Sequence, residues 1–293
     1  MSDLMPVGIV GVGNMGGAIA ANLLARGWPL RVCDIDASKC RALEDAGAMV
    51  FADPAGAAAQ SVVVIVCVVS AAQANDVLFG AKGAAGAMQR GQAVMLCPTM
   101  SPQDVQNIAQ RLQAFGLGAI DAPMSGGPTK ARDGSMSLMV ACEQSVFERQ
   151  AALIQAMSSK VFRISERVGD GARTKLVNNL AAAVNLLGAA EVLAMAEHMG
   201  LPLESTLDVI EQSSGQSWIG SDRMRRAIAG DDAPRAHMAL LEKDTRLAVD
   251  AGLQAGFKGP LGALTRDAFS AASAAGFDRH DDAALLRWLR RQA

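Results

Sequence analysis

Lys175 lies in the run Gly169-Asp170-Gly171-Ala172-Arg173-Thr174-Lys175-Leu176-Val177-Asn178-Asn179, four positions before Asn179. On a helix that spacing puts both side chains on one face. An amine and a carboxamide placed this way can hold one oxygen between them. An Ala- and Leu-rich helix would partly desolvate the amine and ease its loss of a proton, so that it could donate and accept in turn. Taken by itself, such a lysine is more often a surface residue that snorkels to water.

A second run, Asp121-Ala122-Pro123-Met124-Ser125-Gly126-Gly127-Pro128, follows an apolar stretch over Leu117–Ile120. Small residues at the carboxyl edge of a strand expose backbone N–H groups, and with the Ser125 hydroxyl they suit an anion such as a carboxylate. Alone, Ser125-Gly126-Gly127 is simply a turn.

The third run is Gly11-Val12-Gly13-Asn14-Met15-Gly16, between a β-branched stretch and a helical one. Gly11 permits a tight turn, Gly13 lets the backbone approach a pyrophosphate, and Gly16 lets helix and strand pack closely. The phosphates would sit at the helix N-terminus. Asp34 closes the next strand, where its carboxylate accepts from both adenosine ribose hydroxyls and repels a 2′-phosphate. This predicts NAD rather than NADP, with Asp36 either helping or capping a helix near Ser38.

Hydride transfer from an alcohol to a nicotinamide needs a separate group for the hydroxyl proton. The chain has no Tyr, which leaves Lys, Asp, Glu and the three His.

The elements that must position these groups fall into two halves. Up to Ile164, strands at Val7–Val10, Leu30–Cys33, Val62–Val69, Ala93–Leu96, Leu117–Ile120 and Lys160–Ile164, with an added one at Ser135–Ala141, alternate with helices. Those helices are Met15–Arg26, Ser38–Ala46, Gln73–Leu78, Pro102–Ala114 and Ser145–Met157. Near-continuous apolar strands such as Val62–Val66 fit a parallel sheet covered on both faces. The expectation is an α/β fold: a Rossmann-type doubly wound sheet over 1–164, then an all-α domain over 165–293. That second domain begins with one long interdomain helix, Ala172–Met199, about 40 Å in length. Helices at Leu203–Gln212, Ser221–Ala229, Arg235–Ala255, Pro260–Ala275 and Asp282–Arg291 follow.

A net charge of −2 with scattered Lys and Arg gives no basic face for a phosphate backbone, so no nucleic-acid partner is expected. Five Cys without C-x-x-C spacing and three well-separated His offer no metal cluster. The N-terminus lacks a basic n-region, and Val62–Val69 falls far short of the roughly 20 residues of a spanning segment. A soluble cytoplasmic protein with no membrane partner is expected.

The runs together resemble the β-hydroxyacid dehydrogenases, the family of 3-hydroxyisobutyrate dehydrogenase and tartronate semialdehyde reductase. The matching pieces are Gly11-x-Gly13-x-Met15-Gly16 with Asn22-Leu23, Asp121-Ala122-Pro123-x-Ser125-Gly126-Gly127, Gly171-x-x-x-Lys175-x-x-Asn178-Asn179, and Lys243-Asp244. The resemblance implies that Lys175 is the catalytic acid/base, Asn179 its orienting partner, and Ser125 and Gly126 the carboxylate site. It also implies Gly127, Asn178 and Trp218 around the substrate, and Val69, Thr99 and Lys243 beside the cofactor, together with Asn14 and Met15 of the glycine turn. Taken without the family, Lys243 would pass as part of a solvated charged face, Glu242-Lys243-Asp244, and Trp218 as a core aromatic.

Where relatives carry Met-Leu-Pro, this chain has Cys67-Val68-Val69-Ser70-Ala71-Ala72-Gln73. That stretch, and Ser217-Trp218 followed by Arg223, look like the L-threonate dehydrogenase branch, although Gln216 stands where Asn is usual. The expected reaction is reversible oxidation of a small β-hydroxy acid, L-threonate or 3-hydroxyisobutyrate-like, with NAD. A reductase working from the aldehyde or imine side is the alternative. A non-catalytic NAD-binding module is the rival of another class, and the presence of both Lys175 and Asn179 weighs against it. Apolar helices such as Ala181–Ala196 point to a homodimer or homotetramer.

Overall fold

The structure is a computed structural model and describes residues 4–292. In the first half β1 (Val7–Val10), α1 (Asn14–Ala25), β2 (Leu30–Cys33), α2 (Arg41–Asp45), β3 (Met49–Val50), α3 (Pro54–Ala58), β4 (Val63–Val66) and α4 (Ala71–Phe79) succeed one another. They are followed by β5 (Ala93–Leu96), α5 (Pro102–Ala114), β6 (Gly118–Asp121), β7 (Met124–Ser125), α6 (Gly127–Asp133), β8 (Ser137–Ala141), α7 (Gln144–Met157) and β9 (Lys160–Ser165). One sheet takes the order β3-β2-β1-β4-β5-β6-β8-β7, with β9 paired to β8. The run from β3 to β6 is parallel, which is the doubly wound arrangement. β8 runs antiparallel to β6 and β7, and β9 parallel to β8.

Alternate strand residues feed separate cores. Val7, Ile9, Val32, Val63, Ile65 and Met95 pack on one face, and Val10, Val64, Val66, Val94 and Leu96 on the other. Both faces are covered, which is why the strands read as unbroken apolar runs.

Several boundaries differ from expectation. β4 stops at Val66 rather than Val69, because its partners β1 and β5 end opposite it at Val10 and Leu96. The expected helix over Ser38–Ala46 is a 3₁₀ turn at Ala37–Lys39 followed by α2. The two-residue strands β3 and β7 and the short helices α3 and α6 are additions.

The second half holds α8 (Asp170–His198), α9 (Leu203–Glu211), α10 (Trp218–Ile228), α11 (Met238–Gln254), α12 (Pro260–Ala272) and α13 (Leu285–Leu289). Here α10 starts earlier than expected, since the Ser217 hydroxyl caps it through the Gly220 amide. α11 starts later, since the amides of Arg235 and Ala236 are held by Asp281 Oδ2 at 2.7 and 3.1 Å. α12 gives way at Ser273 to a wide turn containing Gly276 at φ 88°, and a 3₁₀ turn at Asp282–Ala284 precedes α13.

The chain divides into two compact units between Lys175 and Leu176. By length and composition α8 could cross a bilayer, but Ala183, Leu186, Ala190 and Leu193 on it are buried in the second unit's core with Phe269 and Trp288.

Candidate active site

The glycine turn joins β1 to α1. Gly11 has φ 89°, and a Cβ there would come within 2.7 Å of the Cys67 carbonyl oxygen. A Cβ on Gly16 would lie 1.9 Å from the Gly11 carbonyl oxygen, whereas one on Gly13 would meet no protein atom within 4 Å. Gly11 and Gly16 are therefore demanded by the chain's own packing. Gly13, at the N-cap of α1 with no side-chain cap, leaves the helix's first amides facing outward beside exposed Asn14, while Met15 packs on the core.

Asp34, just past β2, accepts from the Val12 amide through Oδ2 at 2.8 Å and from the Asp36 amide through Oδ1 at 2.9 Å. Each oxygen keeps a lone pair for a ribose hydroxyl. Asp36 caps the Ala37–Lys39 turn through the Ser38 amide. Lys39 Nζ stands 4.0 Å from Asp34 and 3.9 Å from Asp36. The open space over Gly13, the outward amides and the half-satisfied carboxylate fit a dinucleotide.

Val69 follows β4, is exposed, and donates its amide to Gln73 Oε1 at 2.9 Å. Thr99 follows β5 and is half-buried, next to Met100 in the core. Ser125 pairs with Ser137 across β7 and β8. Gly126 and Gly127 have φ 122° and 77°, successive positive values that only glycine adopts readily, and they open α6 without a side-chain cap.

Asp121, the last residue of β6, is 1% exposed. Burial raises its carboxyl to about 6, opposed by hydrogen bonds from the amides of Ala172, Gly169 and Gly171. Cys97 and Cys67 sit on neighbouring strand ends, and their hydrogen bond together with burial pushes the Cys97 thiol up. All five cysteines are free.

On α8, Lys175 is 7% exposed and Asn179 9%. Lys175 therefore does not snorkel to solvent. In the second unit Asn178 donates from Nδ2 to Asn179 Oδ1 at 3.1 Å, and Asn179 donates from Nδ2 to Asp244 Oδ2 at 2.6 Å. Lys243 Nζ lies 3.0 Å from Asp244 Oδ1. Asp244, quoted in the sequence only as Lys243's neighbour, is thus what joins Asn178, Asn179 and Lys243. Nothing in the charged stretch Glu242-Lys243-Asp244 marks this acid as the buried one.

Trp218 opens α10 and is 56% exposed, so it is not a core aromatic. Arg223 is held by Asp222 and, at 2.6 Å, by Asp282. Burial raises the Asp282 carboxyl to about 6 against the pull of Arg223. Among the described residues no three His, Cys, Asp or Glu are grouped to hold a metal ion.

Residues 6–165 match the NAD binding domain of 6-phosphogluconate dehydrogenase, and residues 169–289 the NAD-binding domain of NADP-dependent 3-hydroxyisobutyrate dehydrogenase. L-threonate dehydrogenase of Escherichia coli K12 is 36% identical over 282 residues, covering 96% of this chain and 93% of the relative. A 3-hydroxyisobutyrate dehydrogenase structure from Salmonella typhimurium superposes with TM-score 0.91 at 36% identity, covering 97% of this chain and 99% of that one. The Mycobacterium tuberculosis 3-hydroxyisobutyrate dehydrogenase with L-serine superposes at 0.87, at 26% identity over 98% of this chain and 99% of that one. The chain belongs to the NAD-dependent β-hydroxyacid dehydrogenases, the family of 3-hydroxyisobutyrate and L-threonate dehydrogenases.

Proposed function

We propose that this dehydrogenase oxidises a small β-hydroxy acid of the L-threonate or 3-hydroxyisobutyrate class to its oxo or semialdehyde form, and catalyses the reverse, with Lys175 as general acid/base. The observation that carries the reading is a lysine only 7% exposed, one helical turn before an equally buried asparagine. Lys175 takes the hydroxyl proton during oxidation and returns it during reduction. Asn179 holds the same oxygen. Ser125 and Gly126 fix the carboxylate, and Gly127, Asn178 and Trp218 bound the rest of the substrate.

NAD, when bound, supplies the acceptor for the hydride. Gly11, Gly13, Asn14, Met15 and Gly16 receive its pyrophosphate, Asp34 its adenosine ribose, and Val69, Thr99 and Lys243 its nicotinamide half. In this reading residues 1–164 bind cofactor and 165–293 complete the enzyme, which works in the cytoplasm. A second copy of the chain covers the exposed Val192 and Met195 of α8 and Met199 just beyond it, which light scattering would report as a dimer or tetramer.

The test is NAD reduction over L-threonate, D-glycerate, 3-hydroxyisobutyrate, 3-hydroxypropionate and L-serine, with the native chain and Lys175→Met. Turnover of one of these acids should fall by about 10²- to 10⁴-fold in the variant. Turnover kept by Lys175→Met would remove the lysine from the chemistry.

A further inference from the structure

Asp121 is a carboxylate at the end of a strand, buried between Leu96 of β5 and Ala141 of β8. Burying such a group is unfavourable unless hydrogen bonds replace its water. Here one oxygen, Oδ2, accepts from the amides of Gly169 at 2.9 Å and Ala172 at 3.0 Å. Those amides belong to the residue just before α8 and to its first turn, where a helix has no carbonyls of its own to offer. A residue far upstream in the chain thus does what an N-cap side chain ordinarily does locally.

The neighbouring residues are shaped to this contact. A Cβ on Gly171 would stand 2.9 Å from Asp121 Cγ and 3.0 Å from its carbonyl oxygen, so only glycine lets the helix approach this closely. Ala172 is buried in the core on that side of the sheet. Gln106 of α5 donates to the Val168 carbonyl at 3.3 Å. The root of α8 is therefore fastened to β6 by hydrogen bonds, to the sheet core by Ala172, and to α5 by Gln106. Lys175 comes one turn later, its amide in helical register with the Gly171 carbonyl.

We propose that Asp121 is the positioning residue for Lys175: by capping α8 from the sheet edge it fixes the height and rotation at which the helix presents the lysine amine. This rests on the acid/base role given to Lys175. Asp121 acts through the helix and touches no reacting atom. Asparagine has nearly the same shape, but it presents an amide that repels the two N–H donors or a carbonyl that accepts them more weakly.

The experiment compares the native chain, Asp121→Asn and Gly171→Ala, with Lys175→Met as reference, using the best acid of the panel above. The readouts are kcat, the KM for NAD, and amide hydrogen exchange over residues 169–176. Asp121→Asn should lower kcat by about 10- to 100-fold, the effect of a small displacement of a catalytic group. The KM for NAD should stay within about twofold, because the glycine turn and Asp34 lie on other strands, and the first turns of α8 should exchange faster. Gly171→Ala, which pushes the same turn away from Asp121, should reproduce the kcat loss and serves where Asp121→Asn folds poorly.

An unchanged kcat alongside faster exchange overturns the proposal, as does a loss that appears wholly as a raised KM for NAD. If Lys175→Met retains turnover, the acid/base reading has failed. If Lys175→Met is inactive while Asp121→Asn and Gly171→Ala are fully active, only the positioning role has failed.

Discussion

Asn179 donates to Asp244 Oδ2 at 2.6 Å, while the other oxygen of the same carboxylate meets Lys243 at 3.0 Å. Asp244 therefore decides which way the Asn179 carboxamide faces and where the Lys243 amine rests. Because Asn178 donates to Asn179 Oδ1, the second Nδ2 hydrogen is the donor that Asn179 would offer to a substrate oxygen in the proposed role.

Replacing that anchor should weaken both partners without unfolding the chain. For Asp244→Ala we expect kcat/KM for the hydroxy acid to drop by about 10-fold or more, the equivalent of one charge-assisted hydrogen bond. Steady-state kinetics and a melting curve on the same sample check it. An unchanged kcat/KM would mean that the carboxamide keeps its orientation by other means.

Asp34 should set cofactor choice. Asp34→Ser removes two acceptors and a negative charge, so the KM for NAD should rise by about 10- to 100-fold. The NAD/NADP ratio of kcat/KM should fall as Lys39, now beside Asp36 alone, becomes available to a phosphate. Kinetics with both cofactors decide the matter, and a native preference for NADP would overturn the role given to Asp34.

The glycines of the turn should separate by assay. Gly16→Ala forces a Cβ against the Gly11 carbonyl oxygen and should cost about 1–3 kcal/mol of stability or more, visible as a lowered Tm before any cofactor is added. Gly13→Ala meets no protein atom, so its Tm should hold while NAD binding, followed by nicotinamide fluorescence, weakens. Equal melting of the two variants would contradict the packing described.

Asp282 should make stability depend on pH. Burial lifts its carboxyl from 3.8 to about 6, so the folded chain holds this proton more tightly than the unfolded chain does. Its contribution is complete below the ordinary value and is lost as pH rises through about 6. Asp121 acts in the same direction. Asp281, whose carboxyl is lowered despite burial by the amides of Ala283, Arg235 and Ala236 and by Arg226, acts oppositely and loses its contribution as pH falls. Asp282→Asn should flatten the fall in stability between about pH 4 and 6 by an amount of order 2 kcal/mol. Denaturation at stepped pH tests this, and an unaltered slope would show the group ionised throughout.

What could be read in advance was what is local. The glycine turn, Asp34 and the Lys175–Asn179 spacing are each set by a single strand, turn or helix, and the alternation of apolar strands with helices follows from a sheet buried on both faces. Asp121 and Asp244 escaped because their partners lie 51 and 65 residues away, and neither Gly171-Ala172 nor Asn179 announces an acidic partner. The strand Met124–Ser125 is too short to show a period of two. The helix Gly127–Asp133 hides behind Gly126-Gly127-Pro128, residues that spell a turn before they spell a helix. Arg223 shows the reverse: it looked like part of a substrate pattern, and its guanidinium is engaged by Asp222 and Asp282.

The hydrogen bond from the Val12 amide to Asp34 Oδ2 ties the glycine turn to the end of β2 through the protein's own atoms. The close approach of Gly16 to the Gly11 carbonyl braces the same turn from behind, so a dinucleotide would meet a turn already held in shape by the chain's own contacts. Arrival then demands little conformational entropy from the protein. The exchange of oxidised for reduced cofactor, which must happen once in every turnover, should then follow how fast the dinucleotide's own contacts break rather than a refolding of the loop around it.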